Sequence, residues 1–490
     1  MKHLTCSFLF LTVFSTVIFA QISMVDTTII SSDEVTINGA RVPYTTSVGN
    51  QPVFNNDGEV VATLFYTYYK RSDIKNTEKR PLVFSFNGGP GSASVWMHLG
   101  YTGPKQLIID DEGYPVQPYG FRDNPHSILD VADIVFVNPV NVAFSRMIDD
   151  EQDRDYFFGV NADVKYLADW IDTFVSRNGR WPSPKYLIGE SYGTTRVSGL
   201  AHRLQNSHWM FLNGVILVSP TGLGIDRDGP VGAATNLPYF AATAWYHNTL
   251  KPEYQEKDLD EFLPEVEAYA IDTFLPALAK GGFLDETERR AIANQVGAYS
   301  GIDPEQVLNQ NLEMPTSFFW KELLRDEGYT IGRLDSRYRG VDEKNAGDRY
   351  DHDPALTAWN HAFAPAINHY LREELGYETD LRYWVFGPVR PWDRGGDLTG
   401  EQLREAMAQN PYLHVMVQSG YYDGGTNYFD AKYTMWNMDK SGKLKDRLSF
   451  KGYRSGHMMY LRKEDLATSN QDIRDFILKS IPAEGEEARH

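Results

Sequence analysis

The stretch that most constrains this chain is the ten-residue segment 186–195, Y-L-I-G-E-S-Y-G-T-T. An apolar run ends in Gly-Glu-Ser-Tyr-Gly, and a helix-compatible stretch follows. This pattern predicts a strand-to-helix turn so tight that only small residues fit two positions before and two positions after the serine. Such a turn strains the serine backbone and lifts its hydroxyl clear of the sheet, where a base can reach it. Ser191 is therefore a candidate nucleophile.

Several short runs elsewhere are apolar at nearly every position, as expected of strands covered on both faces of a parallel sheet. They are residues 81–86, 133–137, 185–188, 215–218 and 413–417. Between the second and third runs, apolar side chains recur at helical spacing from Val164 to Val175. Strands that alternate with helices predict an α/β fold with a doubly wound, mostly parallel sheet.

The pattern changes at both ends of this region. Residues 35–69 alternate as in antiparallel strands joined by a turn at 55–58. After 220 the chain becomes aromatic-rich and helical in period, without a buried-strand pattern. Its clearest predicted helices are residues 264–275 and 354–375, each with a proline in the first turn.

Strand patterns resume at residues 381–386, so the helical stretch interrupts the sheet rather than following it. We therefore expect four parts: a signal peptide at 1–20, the first part of the α/β core at 21–220, a helical insertion over the active site at 221–380, and the second part of the core at 381–490.

The first twenty residues have the pattern of a secretory signal peptide, since Lys2 and His3 precede an apolar run that ends at Ala20. A membrane anchor is the alternative, but the run is near the lower length limit for spanning and no basic stop follows it. No later stretch is long and apolar enough to span. We therefore expect a secreted or periplasmic protein with no membrane span in its mature chain.

Composition excludes several classes of function. The only cysteine, Cys6, lies in the predicted signal peptide, so the mature chain would have no thiol nucleophile and no thiolate metal site. The formal net charge of −19 makes nucleic acid and anionic membrane surfaces poor partners. Because no H-E-x-x-H motif is present either, we expect neither a metal nor an organic cofactor.

A nucleophilic serine needs a base, and the base needs a group that orients it. Asp423 follows the apolar run ending at Val417, and His457 follows the run 448–450. Both would lie on loops at the carboxyl ends of strands, where open α/β sheets place their ligands. For Asp423 an ordinary turn aspartate beside glycines is the alternative, and for His457 a core or surface histidine.

A glycine-rich loop follows the first apolar run and reads Asn87-Gly88-Gly89-Pro90-Gly91. Its backbone N–H groups are suited to stabilising a developing negative charge, with a second donor from Tyr192, the residue after the candidate nucleophile. A phosphate-binding loop is the alternative, but no Gly-Lys-Ser/Thr follows and the glycine spacing is wrong.

These motifs together resemble the serine carboxypeptidase family of α/β-hydrolases, and more closely its bacterial branch. The matching segments are residues 87–92, 94–100, 138–139, 144–146, 189–193, Asp423 and 456–458. They follow the family's order and span nearly the whole mature chain, so the resemblance implies an α/β-hydrolase fold.

The resemblance also implies a role for each matching residue. Ser191 would be the nucleophile, His457 the base and Asp423 its partner. The N–H groups of Gly89 and Tyr192 would form the oxyanion hole.

The substrate would be bound by Asn87, Gly88 and Glu190. Its free C-terminal carboxylate would be held by Asn87 and Glu190. A carboxylate beside Glu190 is tolerable only if one of the two acids is protonated, which predicts a preference for acid pH.

The chain departs from the family pattern at several positions. Ser92 stands where a cysteine is usual, and the second glutamate that normally pairs with the first is missing from residues 97–103. Arg146, Arg196 and His98 lie in or near the motifs, where they either bear on an anionic substrate or serve the structure.

We therefore expect a serine-type carboxypeptidase that acts on peptide substrates through an acyl-enzyme. Aromatic residues of the insertion would favour apolar side chains in its pocket: Tyr239, Phe240, Trp245 and Tyr246. An esterase or acyltransferase on the same scaffold is the first alternative, and a secreted binding protein with a vestigial site is the second.

Overall fold

A computed structural model describes residues 26–149 and 154–482 of the chain. The predicted signal peptide lies outside these described residues. Among the residues described, no helix is both long enough and apolar enough to cross a bilayer.

Fourteen strands occur in the described part of the chain. They are β1 (Thr27–Ile37), β2 (Ala40–Phe54), β3 (Val60–Arg71), β4 (Leu82–Phe86), β5 (Lys105–Leu107), β6 (Phe121–Asp123), β7 (Asp133–Val137), β8 (Arg146–Met147), β9 (Lys185–Glu190), β10 (Gly214–Val218), β11 (Thr330–Ile331), β12 (Arg339–Gly340), β13 (His414–Gly420) and β14 (Leu448–Tyr453).

The α-helices of the same described ranges are α1 (Val95–Gly100), α2 (Val160–Arg177), α3 (Tyr192–His208), α4 (Pro230–Tyr246), α5 (Pro252–Gln255), α6 (Leu259–Tyr269), α7 (Leu275–Leu278), α8 (Glu286–Ser300), α9 (Pro304–Asn309), α10 (Thr316–Glu322), α11 (Pro354–His369), α12 (Thr399–Gln409), α13 (Tyr428–Met438) and α14 (Lys463–Lys479). Two π-helical turns, Ala270–Phe274 and Tyr370–Glu374, continue α6 and α11.

The central sheet has the strand order β1-β2-β3-β7-β4-β9-β10-β13-β14, with β8 paired to β3. The six strands from β7 to β14 in this order are mutually parallel, whereas β1, β2, β3 and β7 pair antiparallel. All five runs that the sequence predicted as parallel strands are confirmed, and every residue of β4, β7, β9 and β10 is buried. Their continuous apolar character follows from helices covering both faces.

The predicted antiparallel region is also confirmed. β2 and β3 are joined through residues 55–59, where the Asn55 side chain accepts hydrogen bonds from the backbone N–H groups of Asp57 and Glu59. Short polar side chains that bond to the backbone in this way favour turns over strands.

One predicted helix of the insertion begins in the wrong place. The helix predicted at 264–275 begins at Leu259, so Pro264 lies in its interior rather than in its first turn. The start is set by Asp258, whose side chain accepts from the backbone N–H of Asp260. This N-cap satisfies a donor that would otherwise have no partner. The second predicted helix does begin at Pro354, after the N-cap Asp353.

The strand predicted at 381–386 is wrong. Only two isolated bridges form there, Ala143 with Trp384 and Ser92 with Phe386, and the parallel sheet resumes at β13. Other apolar side chains of the segment pack on the main core, and Phe386 lines a cavity instead of facing a neighbouring strand. The insertion also contains a short antiparallel ribbon, β11 with β12, that the helical pattern did not predict.

Two apolar cores underlie the fold. The larger includes both faces of the sheet together with Trp359 and Phe363 of α11. The smaller joins the helices of residues 234–324 to Tyr422 and Phe429, beyond β13. The insertion is therefore packed in two parts, and its last helix belongs to the main core. The division of the chain at 220 and 380 stays a prediction.

A buried ion cluster fixes the start of β7. Asp133 is fully buried and its carboxylate accepts from Arg80 Nε over 2.7 Å and from Arg180 Nη1 over 2.6 Å. Both arginines are buried as well, so the single carboxylate is the shared counter-ion of two guanidinium groups that are shielded from water.

We expect Asp133→Asn to lower the free energy of unfolding by about 3–5 kcal/mol, because it leaves two buried cations without a counter-charge. Urea denaturation followed by tryptophan fluorescence measures the change. Asp57→Asn, in the exposed turn between β2 and β3, is the matched control and should change it by less than about 0.5 kcal/mol. A loss below about 1 kcal/mol for Asp133→Asn would contradict the assigned role.

Candidate active site

Ser191 lies at the junction of β9 and α3 with φ +57° and ψ −126°, a backbone conformation that residues other than glycine rarely adopt. Its N–H donates to the carbonyl of Val218 on the neighbouring strand β10. The strain is thus held by the sheet on one side and by the following helix on the other.

The glycines of the motif are required by close backbone contact. A Cβ atom on Gly189 would lie 2.2 Å from the carbonyl oxygen of Gly193, and one on Gly193 would lie 2.9 Å from that of Phe86. Neither separation is compatible with a side chain, since packed interiors offer no such room. The predicted strand-to-helix turn is therefore present, with the predicted spacing.

Asp423 and His457 lie side by side, although 34 residues separate them in the chain. Nδ1 of His457 donates to Oδ2 of Asp423 over 2.7 Å. The other carboxylate oxygen of Asp423 accepts from the backbone N–H groups of Gly425 and Thr426. Asp423 is fully buried, and these donors replace the water that an exposed carboxylate would bind.

The position of His457 determines which ring nitrogen is available. Because Nδ1 is bonded to Asp423, Nε2 is the atom left for chemistry, and the ring lines the same cavity as Ser191. Within the described ranges, no hydrogen bond joins the Ser191 hydroxyl to this ring. Such contacts are often long in the absence of substrate.

The protonation of His457 responds to opposing effects. Burial lowers the pKa of the imidazole, but the charge of Asp423, its hydrogen bond and the charge of Glu190 outweigh burial and raise the pKa above its usual value. These interactions stabilise the imidazolium, which is the form that a general base adopts after it has taken a proton.

Residues 333–337 brace the loops that contain Asp423 and His457. The sequence did not predict this segment as part of the site. The backbone N–H of Gly424 donates to the carbonyl of Arg333, that of His457 to Leu334, and that of Ser336 to Tyr422. This segment joins β11 to β12, inside the predicted insertion. No sequence motif marks it, because the contacts are made by backbone atoms of residues distant in the chain.

The glycine-rich loop packs directly on the turn that carries Ser191. A Cβ atom on Gly88 would lie 2.5 Å from the backbone nitrogen of Tyr192, and Gly89 has φ +102°. The N–H groups of Gly89 and Tyr192 have no acceptor among the described residues. Two unpaired backbone donors beside the candidate nucleophile are what an oxyanion site needs.

Arg196 binds the backbone of the glycine-rich loop. Its guanidinium donates to the carbonyl of Asn87 over 2.6 Å and to that of Pro90 over 3.2 Å, and it forms an ion pair with Asp163. Arg196 and Asp163 are both fully buried, so this arginine serves the structure rather than a substrate.

Arg146 and His98 also have structural partners. The guanidinium of Arg146 donates to three backbone carbonyls and stacks on Trp384. His98 is hydrogen bonded to Tyr69, and burial lowers the pKa of its imidazole to about 3. Neither residue lines the cavity.

Glu190 is the buried acid beside the candidate nucleophile. Its Oε1 accepts from Nδ2 of Asn87 over 2.7 Å, and its Oε2 accepts from the hydroxyl of Tyr460. Burial raises the pKa of Glu190 to about 7, although His457 and these hydrogen bonds oppose the shift. A carboxyl group in this state can be either proton donor or anion near neutral pH.

Only some of the predicted substrate-binding residues line the cavity. Gly88 and Glu190 line the cavity, whereas Asn87 is fully buried behind Glu190 and supports it. Tyr460 bonds to Glu190 and was not predicted, because it lies outside the matching motif segment 456–458. Its position three residues after His457 was the only available signal.

The cavity has a volume of about 690 Å³, and its apolar walls are not the ones predicted. The predicted aromatics of the insertion do not line it: Tyr239 and Phe240 are buried in the smaller core, and Trp245 and Tyr246 pack against that core. The prediction failed because these side chains are needed to hold the insertion together. The walls are formed instead by Trp96, Leu356, Trp359, Phe386 and Val389.

Comparisons with known proteins agree with this geometry. The family model for serine carboxypeptidases matches residues 54–273. Serine carboxypeptidase-like 38 of Arabidopsis thaliana is 29% identical over 172 residues, which are 32% of this chain and 33% of that protein. Vitellogenic carboxypeptidase of Aedes aegypti is 28% identical over 175 residues, 35% of this chain and 34% of that protein. The alignments thus span about a third of these relatives.

The fold extends the likeness over the rest of the chain. The crystal structure of Kex1(delta)p, a prohormone-processing carboxypeptidase from Saccharomyces cerevisiae, superimposes with a TM-score of 0.54 at 13% identity and covers 89% of this chain and 92% of that one. The parallel sheet and the serine turn establish that the chain has an α/β-hydrolase fold, and residues 54–273 are similar to the serine carboxypeptidase family.

Proposed function

We propose that this protein is a serine-type carboxypeptidase that releases C-terminal residues from peptides and favours acid pH. The observation that carries the proposal is the buried carboxyl group of Glu190, which lies next to Ser191 and lines the same cavity. An ester hydrolase has no need of an ionisable group there. A carboxypeptidase needs a group that accepts the free carboxylate of its substrate.

In the proposed mechanism, Oγ of Ser191 attacks the carbonyl carbon of the last peptide bond while Nε2 of His457 takes the hydroxyl proton. The N–H groups of Gly89 and Tyr192 stabilise the oxyanion, and Asp423 stabilises the imidazolium. His457 then gives the proton to the leaving amine, which departs as the C-terminal amino acid. Water, activated by the same imidazole, hydrolyses the acyl-enzyme and frees Ser191.

Recognition of the substrate carboxylate would depend on the protonation of Glu190. In its protonated form Glu190 donates a hydrogen bond to the carboxylate, whereas in its ionised form it repels it. Gly88 would bring the substrate backbone close to this group, and Asn87 and Tyr460 would keep the carboxyl group in place.

Glu190 and His457 would titrate as a pair, because the negative charge of Glu190 raises the pKa of His457. Protonation of Glu190 removes that charge and lowers the pKa of the imidazole. The histidine is then more readily neutral, as a general base must be, in the same state in which Glu190 can donate to the substrate carboxylate. This coupling supports turnover below pH 7 despite the raised pKa of the histidine.

The first prediction concerns the substrate. We expect an N-blocked dipeptide with a free carboxylate to be hydrolysed with a kcat/KM at least about tenfold above that of the same dipeptide amide, the size of one hydrogen bond to a charged group. Equal rates on both would favour the esterase or acyltransferase alternative. Labelling of the wild-type protein, but not of Ser191→Ala, by a fluorophosphonate separates both enzymes from a binding protein.

The second prediction concerns Glu190. For the free-acid dipeptide, the KM of the wild-type enzyme should rise above pH 7 by roughly tenfold per pH unit, as Glu190 loses its proton. In Glu190→Gln, whose amide cannot ionise, KM should stay constant within about threefold from pH 5 to pH 8.5. An ester substrate without a carboxylate is the control. The same rise in wild type and variant would show that Glu190 does not contact the substrate.

The third prediction concerns the histidine. We expect Asp423→Asn to lower the pKa of His457 by at least about one unit, because it removes the largest of the interactions that raise it. Proton NMR titration of the imidazole measures the change, with His457→Gln identifying the resonance. An unchanged pKa would mean that Asp423 does not stabilise the imidazolium. Asp57→Asn, in the turn between β2 and β3, should leave the titration as in wild type.

A further inference from the structure

Two arginines line the cavity of Ser191, and the proposed mechanism uses neither. Arg333 precedes Leu334 in the bracing segment 333–337, and Arg390 lies at the end of the segment 386–390, which also lines the cavity. The other charged or titratable groups of the cavity lining are Glu190 and His457. Below pH 7 the carboxyl group of Glu190 is protonated, so positive charge dominates this lining.

The backbone holds both arginines in place. The carbonyl of Arg333 accepts from the N–H of Gly424, beside Asp423, and its Nη1 lies 3.3 Å from the position of a Cβ atom on Gly425. The N–H of Gly387 donates to the carbonyl of Gly91, which fastens the second segment to the glycine-rich loop. Both cations therefore belong to segments that are fastened to other parts of the site by backbone hydrogen bonds.

Among the described residues, neither guanidinium group forms a close ion pair, although Arg333 also interacts with the hydroxyl of Tyr350. Arg333 has one acidic neighbour, Asp353, whose carboxylate is 3.9 Å from its Nε and is also engaged with the N–H groups of Leu334 and Ala355. Arg390 is exposed, and within the described ranges its guanidinium has no ion pair and no hydrogen bond. Arg196 shows the contrast, since all of its donors are directed into the protein interior.

The sign of these charges is opposite to that of the whole molecule, whose formal net charge is −19. Exposed charges more than about 8–10 Å away are screened at physiological ionic strength, so the local arginines decide what enters the cavity. Planar guanidinium groups bind carboxylates with two parallel hydrogen bonds.

We infer that the enzyme prefers acidic peptides, with a glutamate or aspartate side chain in one of the two residues that flank the scissile bond, and that Arg333 and Arg390 bind this side-chain carboxylate. The inference rests on the proposed carboxypeptidase function and names its substrate class. The apolar walls around Trp96 and Trp359 would then contact the methylene groups of the substrate.

The test compares two matched pairs of benzyloxycarbonyl dipeptide acids at pH 6, where a glutamate side chain is ionised. Phe-Glu is compared with Phe-Gln, and Glu-Phe with Gln-Phe. We expect kcat/KM for the glutamate member of at least one pair to be about tenfold higher, the size of one charge-assisted hydrogen bond. Ratios at or below one in both pairs would overturn the inference.

Variants identify the residues responsible. Arg333→Gln and Arg390→Gln should each reduce the glutamate-to-glutamine ratio at least threefold. Arg404→Gln, which removes an equal charge on the outer helix α12 where Arg404 pairs with Glu401, should keep the wild-type ratio. Because the ratio compares two substrates of the same variant, a general loss of activity leaves the ratio unchanged. A wild-type ratio in both cavity variants would overturn the assignment.

Binding separates this inference from the proposed function. Calorimetry on Ser191→Ala measures the dissociation constants of the same dipeptides without turnover. If wild-type protein hydrolyses no dipeptide acid, the proposed function fails, and the binding ratio still decides the inference. Tighter binding of the glutamate members by about tenfold supports it, and equal binding overturns it.

Discussion

The site depends on the contact between two backbone segments, the glycine-rich loop and the turn that carries Ser191. Gly88 lies against the backbone of Tyr192, and Gly193 lies against the carbonyl of Phe86, with no room for a side chain at either glycine. Because β4 and β9 are neighbours in the sheet, this contact is made by the ends of two paired strands. It places the N–H of Gly89 beside the serine turn, which itself contains the N–H of Tyr192, and Arg196 holds the glycine-rich loop through the carbonyls of Asn87 and Pro90.

The features that could be predicted from the sequence are those encoded by local patterns. Residues 133–137 and 215–218 are apolar throughout because helices cover both faces of their strands, so they were recognisable as parallel strands. The turn at Ser191 was recognisable because backbone contact excludes side chains at fixed spacing. Asp423 and His457 were found because each follows a strand, and strand ends meet at one edge of the sheet.

The features that could not be predicted are those made by contacts between distant residues. Tyr460 bonds to Glu190 across 270 positions of the chain, and nothing near either residue indicates the partner. Residues 381–386 have the composition of a strand, but they form only isolated bridges with distant loops, and of these residues only Phe386 lines the cavity. Tyr239 and Phe240 were assigned to the cavity from composition alone, although the insertion needs them for its own core.

Asp423 and Glu190 show how one site gives two carboxyl groups different tasks. Asp423 accepts from two backbone N–H groups and from the imidazole. Glu190 is buried as deeply, but its donors are a neutral amide and a phenol, which offset burial only in part. Its pKa is therefore raised to about 7. The two buried carboxyl groups therefore differ in the donors around them rather than in their depth, and such differences in environment can suit two carboxyl groups in one site to different chemistry.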